Sequence, residues 1–103
     1  GLKAGHRLDA IEVPSFLPDT PEVRSDLADY AHEIEWADQQ LGLLLDQLER
    51  TGRLANTIVV FTADNGMAFP RAKGNLYEYG VHVPLVMAWP ARIKGGQVLD
   101  DLV

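Results

Sequence analysis

Apolar and polar positions follow different rules in successive stretches of the chain. Residues 1–18 show no sustained period, and Pro14 and Pro18 bracket Ser15-Phe16-Leu17, which reads as an ordered loop. From Leu27 a helical rhythm sets in. Leu27, Tyr30, Ile34, Ala37, Leu41, Leu44 and Leu48 recur at alternating steps of three and four, forming one apolar stripe. Asp19-Thr20-Pro21-Glu22 supplies the start signal: Thr20 is a capping residue, Pro21 suits a position whose N–H is unpaired anyway, and Glu22 complements the positive helix end. Gly52 offers a left-handed stop, so the spacing predicts a helix over 20–52. Asp26, Asp29, Glu33, Glu35, Asp38, Asp46 and Glu49 fall mostly off the stripe and read as a solvated face.

After the helix the period disappears. Thr57-Ile58-Val59-Val60-Phe61-Thr62 is a short, continuous, β-branched run, which predicts a strand over 57–62 buried on both faces of a parallel sheet. Val83 to Trp89 predicts a second strand, stopped by Pro90, with Pro84 tolerable only at its entrance or on an edge. Gly95-Gly96 reads as a turn, and 97–103 as a partial strand or the start of another element. The helical stripe alone also fits a coiled-coil seam. The strands that follow it favour α/β order instead: part of an open, largely parallel sheet covered by the long helix.

At 103 residues and 11.4 kDa the chain has room for one small domain or a piece of a larger one. It opens on Gly1 rather than Met and closes on the apolar pair Leu102-Val103, and we expect a segment of a longer protein. Nine Lys and Arg against fifteen Asp and Glu give a net charge of −6, which argues against nucleic acid or an anionic membrane surface as the main partner. No apolar run approaches the roughly twenty residues of a membrane span. Without cysteine these residues hold no disulfide, thiolate metal site or cysteine nucleophile.

Candidate chemistry concentrates between the strands, in a loop over 63–82 that leaves the carboxyl end of the first one. That is the edge where open α/β sheets place ligands, and long loops there are commonly functional. Asp64-Asn65-Gly66 sets a carboxylate beside an amide oxygen, a pair suited to a hard divalent cation, although the tripeptide by itself more readily spells a turn. Two side chains fall short of the roughly six to eight oxygens that Ca²⁺ takes. Arg71-Ala72-Lys73-Gly74-Asn75 adds two cations, and from Asp64 to Gly96 four bases face two acids. In an acidic chain this local positive excess suits an anion, with ordinary surface lysine and arginine as the plain alternative. His82 fits a ligand, an acid–base group or a packed residue, whereas Trp36 and Trp89 read as core or interface anchors.

Taken in order, the long helix, Asn56-Thr57-Ile58-Val59-Val60-Phe61-Thr62-Ala63-Asp64-Asn65-Gly66, Lys73-Gly74-Asn75-Leu76-Tyr77-Glu78-Tyr79-Gly80 and Val83-Pro84 resemble the sulfatase family of the alkaline-phosphatase-like superfamily. The resemblance covers roughly residues 13–103. Val13 to Pro21, together with Phe69-Pro70 and Asn75-Leu76-Tyr77, look most like its sulfamidase branch, which removes N-linked sulfate from glucosamine in heparan sulfate. The resemblance implies Asp64 and Asn65 as Ca²⁺ ligands, Lys73 as a catalytic and sulfate-binding residue, and a sulfated carbohydrate as substrate. It also implies an exported, periplasmic or lysosomal setting. The family's formylglycine nucleophile arises in a C/S-x-P-x-R motif, which is absent here; Ala88-Trp89-Pro90-Ala91-Arg92 only echoes it, with alanine in the nucleophile's place. That motif and the paired aspartates completing the metal site are expected in the rest of the sulfatase domain, so the segment alone is expected to be inactive. Tyr79 and His82 depart from the Gly and Arg of many relatives, and Lys73 from the Arg that the sulfamidase branch can use. Two other readings stay open: a phosphate or phosphonate ester hydrolase of the same superfamily, and a non-catalytic remnant that binds sulfated glycan or works through its helix.

Overall fold

The computed structural model describes residues 8–100. The chain divides into two compact units, one ending at Leu43 and the other starting at Leu44. The first unit opens with a single 3₁₀ turn, Leu8–Ala10, and leads into a helix, α1, that runs Pro21–Arg50 and continues into the second unit. Thr20 caps α1: its Oγ1 accepts the N–H of Val23 at 3.3 Å, and its carbonyl accepts the N–H of Arg24 at 3.0 Å. The Glu22 carboxyl is held below its ordinary range by its own backbone N–H and then by the Thr20 hydroxyl.

Arg24 ties the incoming loop to this first turn. Its Nη1 donates to the carbonyls of Leu8 and Ile11, both at 2.8 Å, while Nε and Nη2 grip the two Asp19 carboxylate oxygens at 2.6 and 2.8 Å. The planar guanidinium fork makes such a two-pronged grip possible. Between the prolines the chain turns, with the Leu17 N–H reaching the Pro14 carbonyl at 2.9 Å, and among the described residues of this unit Leu17, Leu27 and Ala28 are the buried apolar side chains. The stripe seen in the sequence is buried only at Leu27; Ile34 and Leu44 on the same stripe are more than half exposed. Gly42 interrupts α1 with open space where a Cβ would stand.

In the second unit α1 ends in a Schellman motif. The N–H of Arg53 bonds the Leu48 carbonyl at 2.9 Å and that of Gly52 bonds Glu49 at 2.9 Å, with Gly52 at φ +67°. A second 3₁₀ turn, Leu54–Asn56, follows. Thr57 closes this turn, its N–H bonding the Leu54 carbonyl and its hydroxyl the Arg53 carbonyl, so strand β1 begins only at Val59 and runs to Thr62. The second strand, β2, is Leu85–Ala88; Pro84 precedes it, and beyond it the Trp89 carbonyl is turned to the N–H groups of Arg92 and Ile93.

Two expectations change here. The described strands form one two-stranded antiparallel sheet, with Val59 opposite Ala88, Val60 opposite Met87, Phe61 opposite Val86 and Thr62 opposite Leu85. An apolar run reveals that a strand is meant to be covered, not which way its neighbour points, and the intervening loop here turns the chain back on itself. Nor are the strands buried on both faces: Val60, Phe61, Leu85, Val86 and Met87 are all exposed. Residues 97–100 form no strand, and the remainder of that element, like residues 1–7 of the opening loop, lies outside the described residues.

Candidate active site

The loop between β1 and β2 is held together by its main chain. The Gly66 N–H reaches the Gly80 carbonyl at 3.2 Å, the Lys73 N–H the Met67 carbonyl at 3.0 Å, and the Asn75 N–H the Ala72 carbonyl at 3.0 Å. These approaches are too close for a side chain. A Cβ on Gly66 would lie 1.7 Å from the Tyr79 carbonyl oxygen, and one on Gly80 would lie 2.2 Å from that of Asn75. Ala72 sits at the centre with none of its surface accessible. A larger side chain there has no room, and a bare backbone is the only surface the two glycines can present. A short helix, α2, spans Glu78–Val81 inside what the sequence presents as irregular loop. Its signal is easy to miss because four residues make barely one turn.

The candidate ligands stand at the start of this loop. Asp64 is exposed, and among the described residues its carboxylate makes no hydrogen bond or ion pair. Asn65 is half-buried, and its Nδ2 donates to the Gly66 carbonyl at 2.7 Å. This bond fixes the amide with Oδ1 as its remaining acceptor. A carboxylate and an oriented amide oxygen fit a hard cation such as Ca²⁺, but as part of a site only. No group of three or more His, Cys, Asp or Glu among the described residues could hold a metal.

Arg71 and Lys73, both exposed, flank the buried Ala72. The Asn75 Nδ2 donates to the Lys73 carbonyl at 3.2 Å, and Gly74 adopts φ +77°, which together set the backbone around Lys73. Arg71 itself adopts φ +60°, the one described non-glycine residue with a positive φ, and its guanidinium lies 5.9 Å from the centre of the Tyr77 ring. His82 is engaged structurally, its exposed ring donating through Nδ1 to Glu78 Oε1 at 2.6 Å. Trp89 is half-buried with Arg92 stacked over it at 5.5 Å, whereas Trp36 is mostly exposed.

This ordered loop, with its oxygen pair and its lysine, can be set against known proteins. The family model described as Sulfatase matches residues 7–102. The chain belongs to the sulfatase family. Among its relatives, human N-sulphoglucosamine sulphohydrolase is 42% identical over 92 residues, covering 88% of this chain and 18% of that protein. The ulvan-active sulfatase of Formosa agariphila is 35% identical over 82 residues, 80% of this chain and 14% of its own length. The N-acetylglucosamine-6-O-sulfatase of Bacteroides thetaiotaomicron is 35% identical over 74 residues, 68% and 13% respectively. The chain thus spans less than a fifth of each of these sulfatases. Family membership carries an α/β architecture, consistent with one long helix and two strands in this sulfatase segment. No helix among the described residues is long and apolar enough to cross a membrane.

Proposed function

We propose that these residues are part of the catalytic domain of a calcium-dependent sulfatase acting on sulfated sugars. In this reading Asp64 and Asn65 supply two of the metal's oxygen ligands and Lys73 meets the sulfate. The observation that carries it is the combination, on one backbone-locked loop of a sulfatase-family chain, of a carboxylate without a partner among the described residues, an amide oriented by its neighbour and an exposed lysine. Two of the relatives take their names from glucosamine derivatives, which supports a sulfated hexosamine as substrate class, N-sulfoglucosamine first.

The chemistry asks for these groups. A sulfate ester or sulfamate is anionic, and further negative charge gathers on its leaving atom as the bond to sulfur breaks. An ammonium group held where that charge grows favours the transition state more than the bound substrate. Bound Ca²⁺ would add Lewis-acid polarisation of the sulfate oxygens. The backbone bonds of the loop set where the Lys73 side chain leaves the main chain, on the same loop as Asp64 and Asn65. The nucleophile, the remaining metal ligands and further strands of a largely parallel sheet belong in this reading to the rest of the protein. The exposed apolar faces of β1 and β2 support it, since an isolated two-stranded sheet is marginal in water and such faces call for a covering layer.

The test uses the natural polypeptide that carries these residues. Asp64→Ala should abolish sulfate release and weaken Ca²⁺ binding at least tenfold by calorimetry, and Lys73→Ala should lower kcat by on the order of a hundredfold. Glu35→Ala, on the exposed face of α1, should leave both unchanged. Equal effects of Asp64→Ala and Glu35→Ala would place the site elsewhere. Preference of the unaltered protein for phosphate esters would move it to phosphoryl chemistry.

A further inference from the structure

We infer that Arg71 and Tyr77 form a second anion subsite beside Lys73, so that the favoured substrate carries another negative group, sulfate or carboxylate, besides the one that is cleaved. The inference rests on the sulfatase reading of Lys73 but on separate observations. A positive φ is uncommon outside glycine and strains a long side chain, and such residues persist where the surrounding structure holds them. Here the surroundings are closely packed. Ala72, the next residue, is fully buried, and its N–H and carbonyl bond to Phe69 and Asn75. The loop therefore fixes Arg71 in a conformation that a glycine or asparagine would adopt more easily.

What that conformation delivers is a guanidinium laid over the Tyr77 ring. At 5.9 Å from the ring centre this is a long cation–π contact that steadies the charge, and the group's N–H donors can fork onto a carboxylate or sulfate. Among the described residues no acceptor takes those donors. The loop's other acid besides Asp64 is Glu78, and it is engaged by His82 at 2.6 Å. Lys73, two residues on, is likewise without a described partner for its side chain. Two exposed cations flanking one buried alanine, one of them steadied on an aromatic ring, suit a ligand with two anionic groups better than a ligand with one.

The experiment compares three probes on the natural polypeptide: a monosulfated glucosamine, the same sugar with a second sulfate, and the same sugar linked to a uronic acid. The informative variant is Arg71→Gly, because glycine accepts φ +60° and leaves the loop's shape intact. By titration calorimetry it should weaken at least one of the two doubly charged probes about tenfold and leave the monosulfated sugar unchanged, the scale of one charged hydrogen-bonded contact. Which doubly charged probe suffers tells sulfate from carboxylate. Arg71→Lys should recover only part of the loss, since a point charge neither forks nor stacks as well. Equal effects on all three probes, or none, would overturn the subsite. Sulfate release is read separately: its absence from the unaltered protein would defeat the sulfatase reading, while the titrations still decide the subsite.

Discussion

Two arginines show how differently the two units are built. Arg24, at the start of α1, is fully engaged: four hydrogen bonds run from it to Leu8, Ile11 and Asp19, and its side chain holds the structure. Arg71, in the loop between β1 and β2, holds nothing comparable; the main chain from Gly66 to Gly80 does the holding. Side chains that fasten a fold are not available to a ligand. A loop fastened by its backbone can keep its side chains for one, and among the described residues Asp64, Arg71 and Lys73 make no side-chain hydrogen bond.

The comparison breaks most readily at the glycines. Gly80→Ala or Gly66→Ala forces a methyl group into a carbonyl oxygen and should cost more than about 3 kcal/mol locally, with loss of sulfate release. Circular dichroism of the natural protein should still show α1, because its start is fastened by side chains; loss of helix along with activity would mean that the two units are not independently held. Thr20→Ala tests the other side. It removes the oxygen that receives the Val23 N–H and should lower stability by about 1 kcal/mol in denaturant titration, with kcat unchanged. Gly42→Ala should raise stability by roughly 0.5–1 kcal/mol, since a helical alanine there meets open space.

The smallest effect is expected in acid. The hydrogen bond from Arg24, reinforced by its charge, holds the Asp19 carboxyl below its ordinary range. A folded-state value below the unfolded one means that the contribution is present above the ordinary carboxylate pKa and disappears as pH falls through the lowered value. Asp19→Asn should therefore flatten the acid limb of the stability profile: it lowers stability slightly at neutral pH, by less than Thr20→Ala, and its difference from the unaltered protein vanishes once pH falls below the lowered value. A larger loss at neutral pH than Thr20→Ala would mean that the arginine clamp outweighs the cap.

Local chemistry was the most legible part of the sequence. Thr20, Pro21 and Gly52 mark the ends of α1 because capping and left-handed stops depend on residues a few positions apart. The strands were legible as strands but not as neighbours: β-branched runs show the need for cover, whereas direction depends on how the loop between them folds back. By composition Asp64-Asn65-Gly66 was legible only as a turn or an oxygen pair and Lys73 only as one of two loop cations; their expected roles came from the resemblance to the sulfatases, and the orientation of the Asn65 amide was not legible, since it depends on where the Gly66 carbonyl points. Arg71 was visible only as one more positive charge. Its backbone angle and its contact with the Tyr77 ring arise where the chain turns beside the buried Ala72, which no pattern of charges records.

The burial of Ala72 has a consequence for how such a loop changes over generations. Its shape is written in positions that present almost no atoms, Gly66, Ala72 and Gly80, and selection acting on shape must keep those small. Positions 71 and 73 project from the same frame without supporting it. Replacing Arg71 would leave that frame standing. Lys73 differs in the proposed reading, where it meets the sulfate: the frame would tolerate its replacement and the chemistry would not. Shape and chemistry thus rest on separate residues of one loop, and each can be altered without the other.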